Sequence, residues 1–159
     1  MQTFLPYPDF RRSAWALDNK RLGKQRVECV QLLQALTRTK VVETVTGWIV
    51  EPFNPKGWVN HPAAKMWKGF EPSLAEYGIE ICDEWVRRNY RDSCRARIIA
   101  LVPAVNPATK TEDALKPPWF GTDAFHDSHR SNLLRKAPEW YRQFNWVVPD
   151  NLPYVWPTS

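Results

Sequence analysis

Glu28 ends an eleven-residue run, Asp18–Glu28, that also holds Lys20, Arg21, Lys24 and Arg26. Arg21, Lys24, Gln25 and Glu28 fall at i, i+3, i+4 and i+7, the spacing of one helix face. A single carboxylate among several cations suits a polyanion that must undergo chemistry. Residues 11–40 carry eight Lys or Arg and two acids, a local net charge of +6 against +5 for the whole chain. The same pattern also fits a solvated face stabilised by local ion pairs, so charge alone leaves both readings open.

The histidines supply a second group of candidates. His126 and His129 sit at i, i+3 in Phe125-His126-Asp127-Ser128-His129-Arg130-Ser131, and His61 lies elsewhere. Two histidines at that spacing could ligate one ion, but no third ligand and no His-Glu-x-x-His pattern accompanies them, so no metal is expected. The segment reads better as the polar start of a helix. Its free N–H groups suit a phosphate, or Asp127 or Ser128 caps them. Cys29, Cys82 and Cys94 are odd in number and widely spaced, which argues for buried free thiols over a disulfide framework or a zinc ribbon. No glycine-rich phosphate loop, Gly-x-Ser-x-Gly or Cys-x-x-Cys occurs.

These residues must be positioned mainly by helices. Leu5-Pro6-Tyr7-Pro8 is extended, because residues before proline avoid the helical region. Asp9 caps a short helix through Leu17. The basic segment then runs as an amphipathic helix from Asp18 to Arg38, with Val30, Leu33 and Leu36 at helical spacing. Gly23 inside it marks either a kink or a close approach of another group. Residues 39–60 look irregular, with Val-rich β-like pieces broken by Pro52, Pro55 and Gly57. Asn60-His61-Pro62 starts a helix that bends or breaks at Gly69–Pro72. Leu74, Tyr77, Ile81 and Trp85 make the stripe of the next. Its acids Glu71, Glu76, Glu80, Asp83 and Glu84 should face away from any polyanion. Cys94, Ile98 and Leu101 mark another short helix. Residues 103–125 read as a proline-rich loop, followed by a helix from Asp127 with Leu133 and Leu134 inward and Arg130, Arg135 and Lys136 outward. Pro138-Glu139-Trp140-Tyr141-Arg142 starts a last turn, and the tail from Val147 is extended.

At 159 residues and 43% apolar content, the chain reads as one domain, 1–159, with a real core. No apolar run approaches the ~20 residues of a membrane span, and the first residues lack a basic n-region and a long apolar h-region. The expectation is a cytoplasmic protein. Nine tryptophans are unusual; most should be core, with one or two left to stack on bases.

Several segments together resemble the pyrimidine-dimer DNA glycosylases, the family of phage endonuclease V, and its bacterial branch in particular. They are Met1-Gln-Thr-Phe-Leu-Pro-Tyr-Pro-Asp-Phe10, Leu17 to Glu28, Asn60-His-Pro-Ala-Ala-Lys-Met-Trp67, Glu84-Trp85, Phe125 to Leu134 and Pro138-Glu-Trp-Tyr141. The resemblance implies a mainly α, compact, metal-free fold with no cofactor. It also implies a bifunctional reaction on double-stranded DNA. The N-glycosidic bond at a pyrimidine dimer is cleaved, and the strand is then broken at the abasic site by β-elimination. The implied nucleophile is the N-terminal α-amine, which forms an imine with C1′ of the sugar, and the implied assisting glutamate matches Glu28. With a bulky Gln2 at the second position the amine is assigned to Met1; Thr3 would carry it only after two residues were trimmed.

An α-amine suits that role, since its ordinary pKa of about 7.7–8.0 lies far below the roughly 10.4 of lysine. Neighbouring cations would lower it further. Charge and helical facing assign Arg21, Lys24, Gln25 and Arg26 to DNA, and His61, His126, His129, Arg130, Arg135 and Lys136 join them as candidate contacts. The partner is damaged duplex DNA, and the protein is expected to be a monomer. A glycosylase for another modified base, or a non-catalytic nucleic-acid-binding module of the same fold, are the rival readings.

Overall fold

The structure, a computed structural model, describes residues 2–105 and 115–157. It is mainly α, as expected. Its helices are α1 (Phe10–Ala16), α2 (Asn19–Thr37), α3 (Pro62–Trp67), α4 (Glu71–Arg87), α5 (Cys94–Leu101), α6 (Asp123–Lys136) and α7 (Pro138–Tyr141). Between α2 and α3 the chain makes one antiparallel hairpin, β1 (Thr39–Thr44) and β2 (Gly47–Pro52), registered Val41 to Val50 and Val42 to Ile49. The Val-rich stretch is therefore a regular two-stranded ribbon. No helix among the described residues is long and apolar enough to cross a membrane.

Asp9 caps α1 by accepting from Arg12 N at 2.6 Å. Leu17 leaves the helix in extended conformation, and Asp18 caps α2 by accepting from Arg21 N. α2 is unbroken through Gly23. That glycine is a close approach: a Cβ there would sit 2.9 Å from the Trp85 indole. Gly78 does the same where α4 crosses α2, since a Cβ would collide with Cys29 Sγ and Ile98 Cδ1. The three thiols are buried and free. Of the tryptophans, Trp67 and Trp119 are buried, Trp85, Trp140, Trp146 and Trp156 pack against the core, and Trp15, Trp48 and Trp58 are exposed.

Three of the five α4 acids are neutralised locally, whereas Glu71 lines a cavity with Arg38, Lys65 and Lys68. Glu84 binds Arg87 and Arg88, Asp83 binds Arg95, and Glu76 binds Lys116. α4 packs on the side of α2 that carries Gly23 and Cys29, turned away from Lys24 and Glu28.

One boundary differs from the sequence reading. α6 begins at Asp123, four residues before Asp127, so His126 and His129 lie inside the helix and not at its start. Both are buried. They grip the chain's opening segment, Gln2–Tyr7, which is buried throughout and belongs to no helix or strand. Leu5 N donates to His129 Nδ1 at 2.9 Å, and Leu5 O accepts from His126 Nδ1 at 2.7 Å. Gly121 N donates to His126 Nε2 at 2.9 Å, which fixes the opposite tautomer on that ring. Pro6 O accepts from Arg130 Nε at 2.6 Å, and Tyr7 exchanges two bonds with the Ser13 hydroxyl. The tail 147–157 is extended, as expected, and docks along α6 through Ser128, Ser131, Asn132 and Arg135.

Both histidines are held neutral. Burial depresses the His129 pKa to about 3, with His126 adding to the effect, and burial also lowers His126. Protonating His129 Nδ1 would turn the acceptor of Leu5 N into a second donor. Between about pH 6.5, where an unfolded histidine titrates, and pH 3, the unfolded chain takes up a proton that the folded chain refuses. Stability is therefore full above that range and falls with acidification, by up to about 1.4 kcal/mol per pH unit for His129 alone. Urea midpoints between pH 7.5 and 5 should fall, and the slope should flatten by about one proton in His129→Asn. Separately, Gly78→Ala should cost about 1–3 kcal/mol by overpacking the α2–α4 crossing, with the urea midpoint lowered at unchanged m.

Candidate active site

A cleft of about 300 Å³ opens along the N-terminal half of α2. Lys20, Arg21, Lys24, Gln25 and Glu28 line it from α2, Gln2 and Phe4 from the opening segment, Lys136 from the last turn of α6, and Tyr154 from the tail. Four cations thus surround one carboxylate. Glu28 is mostly buried, its side chain about 10% exposed. Glu28 Oε2 accepts from Gln25 Nε2 at 3.0 Å, and Glu28 Oε1 lies 3.6 Å from Lys24 Nζ. The Lys24 ammonium is largely in solvent, so this pair is weak and the ammonium can swing to an incoming anion. Arg21 spends part of its guanidinium on Asp18, at 3.2 Å.

Gln25 is the connector. Its amide nitrogen donates to Gln2 O at 2.6 Å as well as to Glu28. Its amide oxygen accepts from Phe4 N at 3.1 Å and lies 2.7 Å from the Tyr77 hydroxyl. That hydroxyl is also 2.9 Å from Phe4 O, its one proton shared between the two oxygens. Burial holds Tyr77 well above its usual titration range, so it remains a donor. Every hydrogen-bonding position of the Gln25 amide is occupied, and one side chain ties the second residue of the chain to the carboxylate. Thr3 is fixed alongside, its hydroxyl accepting from Trp67 Nε1 at 3.0 Å. Met1 lies outside the described residues.

The structure thus brings together Glu28, Arg21, Lys24, Gln25 and Lys136. Several other expected contacts are engaged elsewhere in the protein. Gln25 is buried and saturated, so it positions its neighbours and has no group left for DNA. Arg26 points the other way, bonded to Asp92 at 2.7 Å and stacked over Trp85. Burial alone would raise the Asp92 pKa, but the Arg26 bond and the backbone N–H groups of Arg95 and Cys94 hold it below the usual carboxylate range. His126, His129 and Arg130 are taken up by the opening segment. Arg135 is exposed and holds Asp150 O and the Asn132 side chain.

His61 caps α3, accepting from Ala63 N at 3.0 Å. It walls a neighbouring, more open cavity of about 630 Å³ with Trp58 and Phe53. Partial burial lowers its pKa, with the Glu28 carboxylate pulling the other way. No three His, Cys, Asp or Glu side chains among the described residues converge as metal ligands do.

Three contributors were missed from sequence. Lys20 belongs to the basic run and could have been included. Tyr154 and the Gln2 carbonyl carry no local signal. Burial pushes the Tyr154 pKa up to about 12, against the pull of Arg135 and Arg21, so its hydroxyl keeps its proton at neutral pH.

A family model described as pyrimidine dimer DNA glycosylase matches residues 1–98. No curated protein and no solved structure gives a match. The matched span contains Gln2, Gln25, Glu28 and Tyr77; Lys136 and Tyr154 lie beyond it.

Gln25→Leu would orphan Gln2 O and Phe4 N and take a donor from the Glu28 carboxylate, while the Tyr77 hydroxyl keeps Phe4 O. At about 1–3 kcal/mol for each buried unpartnered group, the expected loss in urea titration is about 3 kcal/mol or more. Tyr77→Phe removes one partner and should cost about 1 kcal/mol. A Gln25→Leu protein as stable as the parent would show that the opening segment is held by something else.

Proposed function

The chain belongs to the pyrimidine dimer DNA glycosylase family, and from that premise we propose that it excises dimerised pyrimidines through an imine made by the α-amine of Met1, with Glu28 assisting. The observation that carries this reading is the Gln25 amide, which bonds the Gln2 carbonyl and the Glu28 carboxylate with the same nitrogen. An amine on the residue ahead of Gln2 lies two residues of backbone from that carbonyl, about 7 Å at most by chain geometry.

The chemistry follows from the groups at hand. The neutral amine attacks C1′ as the glycosidic bond breaks, and that bond's electron pair leaves with the base. Glu28 stabilises the positive charge that develops on the sugar and can deliver or accept a proton at the ring oxygen. The attached amine loses a proton, and the C1′–O4′ bond breaks as the ring oxygen takes one from Glu28, which opens the sugar to the imine and acidifies C2′. Loss of a C2′ proton expels the 3′ phosphate, and water then hydrolyses the imine to free the amine. Lys20, Lys24 and Lys136, cleft cations without a close side-chain bond to carboxylate in two of the three cases, hold the flanking phosphates. The sugar is exposed by extruding a nucleotide, which costs a few kcal/mol and least at a lesion that already stacks poorly.

Borohydride should trap a covalent adduct with an abasic duplex, and acetylating the α-amine or extending the chain by one residue ahead of Met1 should abolish it. Glu28→Gln should lower the single-turnover rate of base release by about 10²–10⁴ while leaving duplex binding nearly intact. Equal trapping with a blocked amine would falsify the assignment of the nucleophile.

A further inference from the structure

A second set of cations gathers at the far end of α2. Lys24, Glu28, Gln31, Ala35 and Arg38 follow one another at four, three, four and three residues, so they lie along one helix face. Arg38 ends that stripe, about 21 Å from Lys24 at 1.5 Å per residue. Beside it, Lys65 and Lys68 stand one turn apart at the end of α3, and the three cations with Ala35, Leu36 and Glu71 line a small cavity of about 140 Å³. All three cations are exposed, and among the described residues none has a carboxylate within ion-pair distance. Glu71 is turned to the backbone, accepting from Gly69 N at 3.1 Å.

Arg38 also occupies a costly conformation. It caps α2 with φ of 55°, the left-handed region where glycine or asparagine is the usual choice. Its carbonyl accepts from Phe53 N at 2.9 Å, which anchors the position at the foot of the hairpin. The backbone would be better served by glycine there, yet the chain places a long cation.

We propose that Arg38, Lys65 and Lys68 form a second phosphate-contact cluster for duplex DNA, on the same face of α2 as the Glu28 cleft. This rests on the DNA reading above and extends it. Duplex DNA carries a phosphate on each strand every 3.4 Å of axis, so the two clusters sit about six base pairs apart. The Glu28 cleft holds the reacting nucleotide, and the second cluster holds intact duplex to one side, supplying affinity and orientation without touching the reacting atoms.

The test is the salt dependence of binding to a duplex bearing a tetrahydrofuran abasic analogue, which cannot form the imine. Each lost phosphate contact makes the log–log slope shallower by about 0.9 and weakens affinity about eightfold at 0.1 M salt. Arg38→Gly/Lys65→Gln/Lys68→Gln should therefore shift the slope by 2 to 3 and weaken binding on the order of 10²-fold. Its single-turnover rate on abasic DNA at saturating enzyme should match the parent. Arg38→Gly alone should melt no lower than the parent while losing about one unit of slope. A triple variant with the parental slope overturns the proposal, as does one whose saturated rate falls with its affinity. A parent protein that binds with the stated slope but never forms an adduct overturns the imine reading alone, because binding is measured without chemistry.

Discussion

Backbone amides taken out of water must find partners, and in this protein that constraint falls on residues 2–7. The opening segment runs through the interior with no neighbouring strand to pair with. Its N–H and C=O groups are met by side chains instead: Ser13 from α1, Gln25 from α2, Tyr77 from α4, and His126, His129 and Arg130 from α6. Four helices far apart in sequence are therefore bonded to one short stretch of chain. That arrangement links α2 to α6 through the opening segment, beside the cleft that Glu28 and Lys136 share. Removing any one of these side chains leaves a buried amide unmet, which costs more than an ordinary surface bond contributes.

The same logic divides the cations into two populations. Arg26, Arg88 and Arg130 are planar donors with partners on fixed geometry: Asp92 and the Trp85 face, Glu84 and backbone carbonyls, the Pro6 carbonyl and the Tyr7 face. Arginine suits such sites because its donors form a rigid fork and its flat cation stacks. The groups left around Glu28 are mostly lysines: Lys20, Lys24 and Lys136. Mutual repulsion among them disfavours the folded chain slightly, and solvent screening keeps that cost small. A polyanion would relieve it.

Legibility from sequence followed the range of the physics involved. The cap at Asp9, the apolar stripe of α4 and the break near Gly69–Pro72 depend on residues within a few positions, and they could be read directly. The hairpin was only half legible, because Val-rich pieces do not state their register. Charge and spacing on one helix face grouped Arg21, Lys24, Gln25 and Glu28. Whether a polar side chain on that face is spent or available could not be read, since it depends on distant partners. Gln25 is consumed by residues 2, 4 and 77, and His129 by a residue 124 positions away. The histidine motif misled for the same reason. Ring nitrogens aimed at an internal backbone look, in sequence, like ring nitrogens aimed at a ligand. The helix boundary compounded the error, because four residues between Thr122 and Asp127 decide whether these rings stand at a helix start or within its body.

Burial of those rings also links the fold's pH response to the proposed chemistry. An α-amine attacks only when neutral, and its neutral fraction grows through about pH 7.7–8.0. The grip on Leu5 needs His129 unprotonated, which holds in the folded state down to about pH 3. In the unfolded chain the same ring titrates near 6.5, so the energetic advantage of the grip is complete before the amine begins to be available. Acidification then acts twice in one direction. It first protonates the proposed nucleophile, with the site intact, and only lower down does it weaken the hold on the segment that begins at Gln2. Activity should therefore fade at a pH where the protein is still folded, and the two losses are separable because they belong to groups with different ordinary pKa values at opposite ends of the same strand of contacts.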